Sequence, residues 1–387
     1  MPTLEPKKFF RRIIVIQFLT AFSWALISVS FPILLKEHFH SDQVVSALYT
    51  FFNIVSLITL FISVPVVRYF HQRRSFDVAL LLMPTLLLLM AFVGTPWELV
   101  LLFSLFTFCC DIYIFNIDLY LPRLQEKESL AQMAGKLGAI YNVAWVAGPL
   151  LGAWLAQKTG QPSVFLAACG ASALAFLCLP WHGLPRANLG EGLNNPLNSI
   201  RVFVGDRHRV QAFINGLGID FVYGSWFLLV IFLEEKLRLD IWTIGLITGV
   251  IGIPWVLLEV TIGKAADRLI SSRTLFTIGY ILMAISMVFM GQTTQVWSFF
   301  VLYLLAVIGS CGLEQTNIPY FIKSLSKEDL GLLSIFLLKM PLGRLVAPFI
   351  ATALLTRFDI NTVISIFGVI TLLFALNALL LPKKTDQ

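Results

Sequence analysis

Apolar residues run along this chain in long blocks separated by short polar or charged breaks. Twelve such blocks fall near 13–35, 44–67, 76–94, 99–121, 131–156, 162–181, 210–233, 242–263, 274–291, 296–320, 331–355 and 362–382. At ~1.5 Å of rise per residue, blocks of this length cross the ~30 Å of a bilayer's hydrocarbon, where a helix also satisfies its own backbone polar groups. Pro122, Gly160 and Pro162 mark sharp edges, because they interrupt helices. The pattern predicts an all-α membrane protein of twelve transmembrane helices.

Composition agrees: 58% of residues are hydrophobic and 13% charged, against about a quarter charged in a soluble domain. The first block begins at Ile13 and runs too long for the core of a cleavable signal peptide, so it is expected to stay as span 1. Cys109, Cys110, Cys169, Cys178 and Cys311 all lie in apolar blocks without paired spacing, which indicates neither a disulfide framework nor a zinc site.

Charge then gives the spans a direction. With the N-terminus placed in the cytoplasm, the cytoplasmic segments collect 21 of the 28 Lys and Arg, the outer loops five, and span 11 the remaining two, Lys339 and Arg344. Both termini are therefore expected in the cytoplasm of a multi-pass protein of the bacterial inner membrane. On this reading the net charge of +6 is a topology signal and not a nucleic-acid footprint.

The long polar connection 182–209 separates an N-terminal half, 1–181, from a C-terminal half, 210–387, and ends in a short amphipathic stretch from Leu197 to Val210. A shift of about 200 residues lays the halves on each other. Arg68 then meets Arg268, Arg73 meets Arg273, Phe76 meets Phe276, and with one residue of slack Asn116 meets Asn317 and Pro149 meets Pro348. Two pseudo-symmetric six-helix bundles follow.

The loop after span 8 reads Gly263-Lys264-Ala265-Ala266-Asp267-Arg268, then Ser272-Arg273. It resembles the Gly-x-x-x-Asp-Arg-x-x-x-Arg-Arg signature of the major facilitator superfamily. Span 5 carries Gly148-Pro149-x-x-Gly152, similar to that superfamily's span 5 motif in antiporter branches, and span 4 ends on Asn116-Ile117-Asp118. The loop after span 2 keeps Arg68 and Arg73 but has Val67 where the family usually has Asp. The resemblance implies a secondary transporter of two six-helix repeats with a midplane site. For Gly148, Pro149 and Gly152 both plain helix packing and a part in coupling are open. Arg68, Arg73, Asp118, Gly263, Asp267, Arg268 and Arg273 read as a gating latch at the cytoplasmic helix ends.

An ionisable group in hydrocarbon is costly, so each one is a functional candidate. Counted by depth, Asp220 in span 7 lies level with Arg344, and Glu314 in span 10 level with Lys339, which predicts two pairs. Apart from Lys136 at the cytoplasmic end of span 5, the spans of Asp111's half hold no Lys or Arg. The neutral acid is the cheaper form there, as a proton carrier requires, so Asp111 leads the candidates for proton coupling, followed by Asp220 and Glu314. Trp24, Asn53, Tyr113, Asn142, Tyr223, Trp226, Gln315 and Asn317 are candidate cavity residues beside the cations Lys339 and Arg344.

All five histidines lie in loops or at their edges, so haem and metal sites within the spans lack ligands, and no phosphate-binding Gly-rich loop is present. An enzyme, a metal or other cofactor and ATP-driven pumping are not expected. The expected function is proton-coupled movement of a small organic solute, anionic or zwitterionic given two cations in span 11, by a monomer in the lipid bilayer. A proton/drug antiporter exporting amphiphilic compounds is the alternative, and a non-transporting membrane receptor or assembly partner the alternative of another class.

Overall fold

Long apolar segments fold as helices because only intrasegment hydrogen bonds satisfy the backbone away from water. A computed structural model describes residues 6–120, 130–179, 196–268, 271–323 and 332–381, and the regular elements among them are all α-helices. Span 1 comprises α1 (Pro6–Ile27) and α2 (Ser30–Phe39), followed by α3 (Asp42–Phe70), α4 (Gln72–Ala91), α5 (Pro96–Tyr120), α6 (Leu130–Thr159) and α7 (Gln161–Leu177). The linker holds α8 (Pro196–Val204). Span 7 is α9 (Arg207–Gly224) with α10 (Trp226–Glu235), and span 8 is α11 (Ile241–Ile251) with α12 (Ile253–Arg268). Then come α13 (Ser272–Met290), α14 (Val296–Lys323), span 11 as α15 (Leu332–Leu337) with α16 (Lys339–Leu354), and α17 (Ile360–Leu379).

Among the described residues eleven stretches are long and apolar enough to cross a membrane, and they follow the predicted blocks in order. The sixth block folds as the shorter apolar α7, 17 residues. Four helix starts among the described residues carry side-chain caps. Asp206, Asp240, Ser271 and Asp359 each accept hydrogen bonds from amides two or three residues on, which satisfies donors that the first turn leaves open.

Contacts divide the chain into two units, one of residues 1–41, 54–189 and 239–253, the other of 42–53, 190–238 and 254–387. The small pieces that cross the halfway division, 42–53 and 239–253, are equivalents under the repeat. In the first unit a Cβ on Gly148 of α6 would collide with Ala25 of α1. In the second, a Cβ on Gly224 of α9 would stand 3.0 Å from the methyl of Ala347 in α16. Ala25 and Gly224, and Gly148 and Ala347, are each 199 residues apart. The same close helix crossing is thus built twice, with the glycine moved from one partner to the other.

The same offset relates two contacts made by the crossing pieces. Within the second unit Ser46 Oγ donates to the Pro348 carbonyl at 2.8 Å. Within the first, a Cβ on Gly245 would stand 2.7 Å from the Pro149 carbonyl oxygen. Spans 1 and 7 also break at equivalent places, at Ser28 and Ser225, whose hydroxyls donate back to the Ala25 and Val222 carbonyls.

Candidate functional site

In the second unit the break of span 7 follows one turn after Asp220, the most deeply set acid of the helix at 4% exposure. Lys339 Nζ donates to its Oδ2 at 3.2 Å and Arg344 Nε to its Oδ1 at 3.3 Å. The expected pair of Asp220 with Arg344 is present. The expected pair of Lys339 with Glu314 is corrected: Lys339 also meets Asp220, while Glu314 accepts a hydrogen bond from Tyr223. Equal depth does not fix azimuth, and α16 packs against α9, which carries Asp220. Small residues admit the cluster. A Cβ on Gly216 would collide with the Lys339 stem, and one on Gly343 would stand 2.7 Å from the Asp220 Cβ.

The triad of Asp220, Lys339 and Arg344 carries a net charge of one positive unit, counted from its side chains. Lys339's side chain is 12% exposed and Arg344's 40%, so Arg344 presents the more accessible guanidinium. A planar fork of donors suits carboxylate and phosphate groups. Further along span 7, Tyr223 of α9 and Trp226 of α10 line a pocket with Trp255 and Tyr303. Trp255 and Tyr303 did not stand out in the sequence, where single aromatics are lost among 33 Phe.

Asn317 is buried and its amide donates to the Ala212 carbonyl at 2.8 Å, tying α14 to α9. Arg273 sits half-buried in the first turn of α13. Asn53, in the crossing piece 42–53, donates to the Tyr49 carbonyl on its own helix at 2.7 Å.

In the first unit Ser56 Oγ donates to Asp111 Oδ2 at 2.5 Å, joining α3 to α5. Trp24 Nε1 approaches Cys110 Sγ at 2.9 Å, and Tyr113 donates to Gln17 Oε1 at 2.9 Å while stacking on Phe76. Cys110, Asp111 and Tyr113 of α5 thus reach Trp24 of α1, Ser56 of α3 and Gln17 of α1 respectively. Asn142 is buried in α6. Gly148 and Gly152 sit at a close helix approach: a Cβ at either would collide with the Ala25 to Leu26 stretch of α1. The Pro149 carbonyl oxygen lies where a Cβ on Gly245 would meet it, as described above. Arg73 pairs with Asp77 on its own helix at 3.3 Å. The side chains of Arg68, Asp118, Asp267, Arg268 and Gln315, and the Gly263 position, lie outside the described residues.

Two helical repeats with ionisable side chains held inside their spans define a class of membrane protein, the carriers built from internal repeats. The sequence profile of the Major Facilitator Superfamily matches residues 13–257 and 210–387, and the chain belongs to that family. No curated protein sequence matches it. Similar solved structures include a POT family transporter in complex with 5-aminolevulinic acid, with a TM-score of 0.76 at 14% identity over 95% of both chains. A POT family transporter in complex with a thioalcohol-conjugated peptide gives 0.74 at 14% identity over 95% of both chains. The human organic anion transporter MFSD10 (TETRAN) gives 0.67 at 14% identity, over 98% of this chain and all of the other. At such identity the likeness is one of fold. Family and fold point to a transporter and not to an enzyme.

Proposed function

We propose that this chain is a proton-coupled secondary transporter that moves a small organic anion or zwitterion by alternating access. Its working form has twelve spans in two six-helix halves, 1–181 and 210–387, joined by the cytoplasmic linker 182–209, with both termini cytoplasmic in a bacterial inner membrane. The observation that carries the reading is the triad beside the break of span 7, one buried acid shared by two cations. An anionic group that approaches Arg344 competes with Asp220 for the cations, and a proton on Asp220 relieves that competition. Substrate and proton loading are linked in this way without any further group.

Asp111 serves as the proton site of the first half. Its hydrogen bond from Ser56 bridges two helices, so a change in its charge is felt by both. The solved neighbours bind 5-aminolevulinic acid and a peptide conjugate, and a third is an organic anion transporter. These ligands are consistent with the class of solute proposed.

The test is flux into proteoliposomes holding the purified full chain, with radiolabelled organic acids and an imposed pH gradient. Uptake or efflux that follows the gradient and is lost in Arg344→Gln supports the reading. Flux that ignores the gradient, or a loss of flux in none of Arg344→Gln, Asp220→Asn and Asp111→Asn, overturns it. Comparing right-side-out with inside-out vesicles gives the direction.

A further inference from the structure

The pocket beside the triad lies within the second unit and is walled by Tyr223, Trp226, Trp255, Tyr303, Met283 and Met287. Trp226 is its centre, stacked on Trp255 with ring centroids 5.7 Å apart and tilted against Tyr303 at 5.2 Å. Aromatic faces and thioethers offer a polarisable apolar surface that accepts flat groups, and methionine adapts to their shape.

Among the buried side-chain nitrogen and oxygen atoms of this wall, one lacks a partner. Trp255 Nε1 donates to Ser310 Oγ at 2.8 Å, and Ser310 donates on to the Val307 carbonyl. Tyr223 donates to Glu314. Tyr303 is 2% exposed, and its hydroxyl is buried without a hydrogen-bond partner. A buried hydroxyl left unmade is a cost that phenylalanine would avoid at the same place and nearly the same volume. A partner supplied by a ligand removes that cost.

We propose that this pocket receives the uncharged aromatic or flat part of the transported anion, and that Tyr303 selects substrates whose flat part carries a hydrogen-bond acceptor such as a carbonyl. The inference rests on the reading of the triad as the anion site. Tyr223 is one helical turn from Asp220, about 4.5 Å along α9, and Gly224 packs 2.8 Å from the Arg344 backbone by its absent Cβ. One small molecule can therefore place its charge at Arg344 and its ring beside Trp226.

Two probes of equal charge and nearly equal shape test this: 4-acetylbenzoate, which has the acceptor, and 4-isopropylbenzoate, which lacks it. Equilibrium dialysis against the purified full chain should give about fivefold tighter binding of 4-acetylbenzoate, the worth of one neutral hydrogen bond. Tyr303→Phe should bring the ratio to about one without lowering the melting temperature, because no bond of the protein itself is lost. Arg344→Gln should weaken both probes alike and keep the ratio. An unchanged ratio in Tyr303→Phe, or no binding of either probe at millimolar concentration, overturns the inference. If Tyr303→Phe abolishes the ratio but Arg344→Gln binds both probes as the parent does, the pocket stands and the anion reading of the triad falls.

Discussion

Replacing Asp220 with Asn keeps the shape of the side chain and removes the charge that Lys339 and Arg344 share. Asp220 is 4% exposed and the Lys339 side chain 12%, so the ammonium would be left in a poorly hydrated place without its counter-charge. Breaking one side of a buried ion pair costs about 3–5 kcal/mol. Arg344 is 40% exposed and turns to water, so its share is discounted and the lower end of that range, about 3 kcal/mol, is the expectation. If the cost comes from the orphaned ammonium, removing it restores stability. The double variant Asp220→Asn/Lys339→Gln should regain about 2 kcal/mol of the loss, although it carries one more substitution. Unfolding of the purified full chain by titration with a denaturing detergent gives all three stabilities under one condition. The reasoning is refuted if the double variant is no more stable than Asp220→Asn alone, because the cation would then carry no penalty in its absence.

Three further outcomes follow from the geometry. Leucine at Gly148 or at Gly224 should each wedge a close helix crossing apart and abolish the monodisperse peak in size-exclusion chromatography, whereas Gly94→Ala, with nothing within 4 Å of the added methyl, should elute as the parent does. Asp359 is held below the ordinary carboxyl range first by the Thr362 hydroxyl, and Asp240 first by the Thr243 amide. A lowered folded value means stability that is present above the unfolded value of about 4 and lost as pH falls through the folded one, so Asp359→Ala should cost about 1 kcal/mol at neutral pH and progressively less below pH ~4 in melting experiments. Asp111→Asn should uncouple uptake from an imposed pH gradient while leaving substrate exchange between the two sides measurable; uptake that still follows the gradient would remove Asp111 from the coupling path.

What was legible in the sequence is what depends on hydrophobic length and on charge excluded from lipid. The order of spans, the offset near 200 and the presence of Asp220, Lys339 and Arg344 inside the spans were all available from those two facts. Which acid each base meets was legible for Arg344 and not for Lys339, because depth along a helix says nothing about azimuth. Lys339 and Glu314 share a depth, yet α16 packs against α9 and Lys339 reaches Asp220. The breaks at Ser28 and Ser225 carry no proline and left no mark in the hydrophobic pattern.

The repeat shows the same limit from another side. Identity at equivalent positions, such as Phe76 with Phe276, was easy to see because both copies keep the residue. The crossing of Ala25 with Gly148 and of Gly224 with Ala347 keeps only the sum of two small side chains and lets the glycine sit on either helix. A comparison by position sees Gly148 against Ala347 and scores a difference, although the contact is conserved between the halves. Packing constrains pairs of volumes, and a pair becomes visible only when the two helices are placed together. Tyr303 makes the same point for chemistry. As one tyrosine in an apolar span it resembles any interfacial aromatic, and only the finding that its hydroxyl is buried and unpartnered beside Trp226 turns it into a candidate for selecting the substrate.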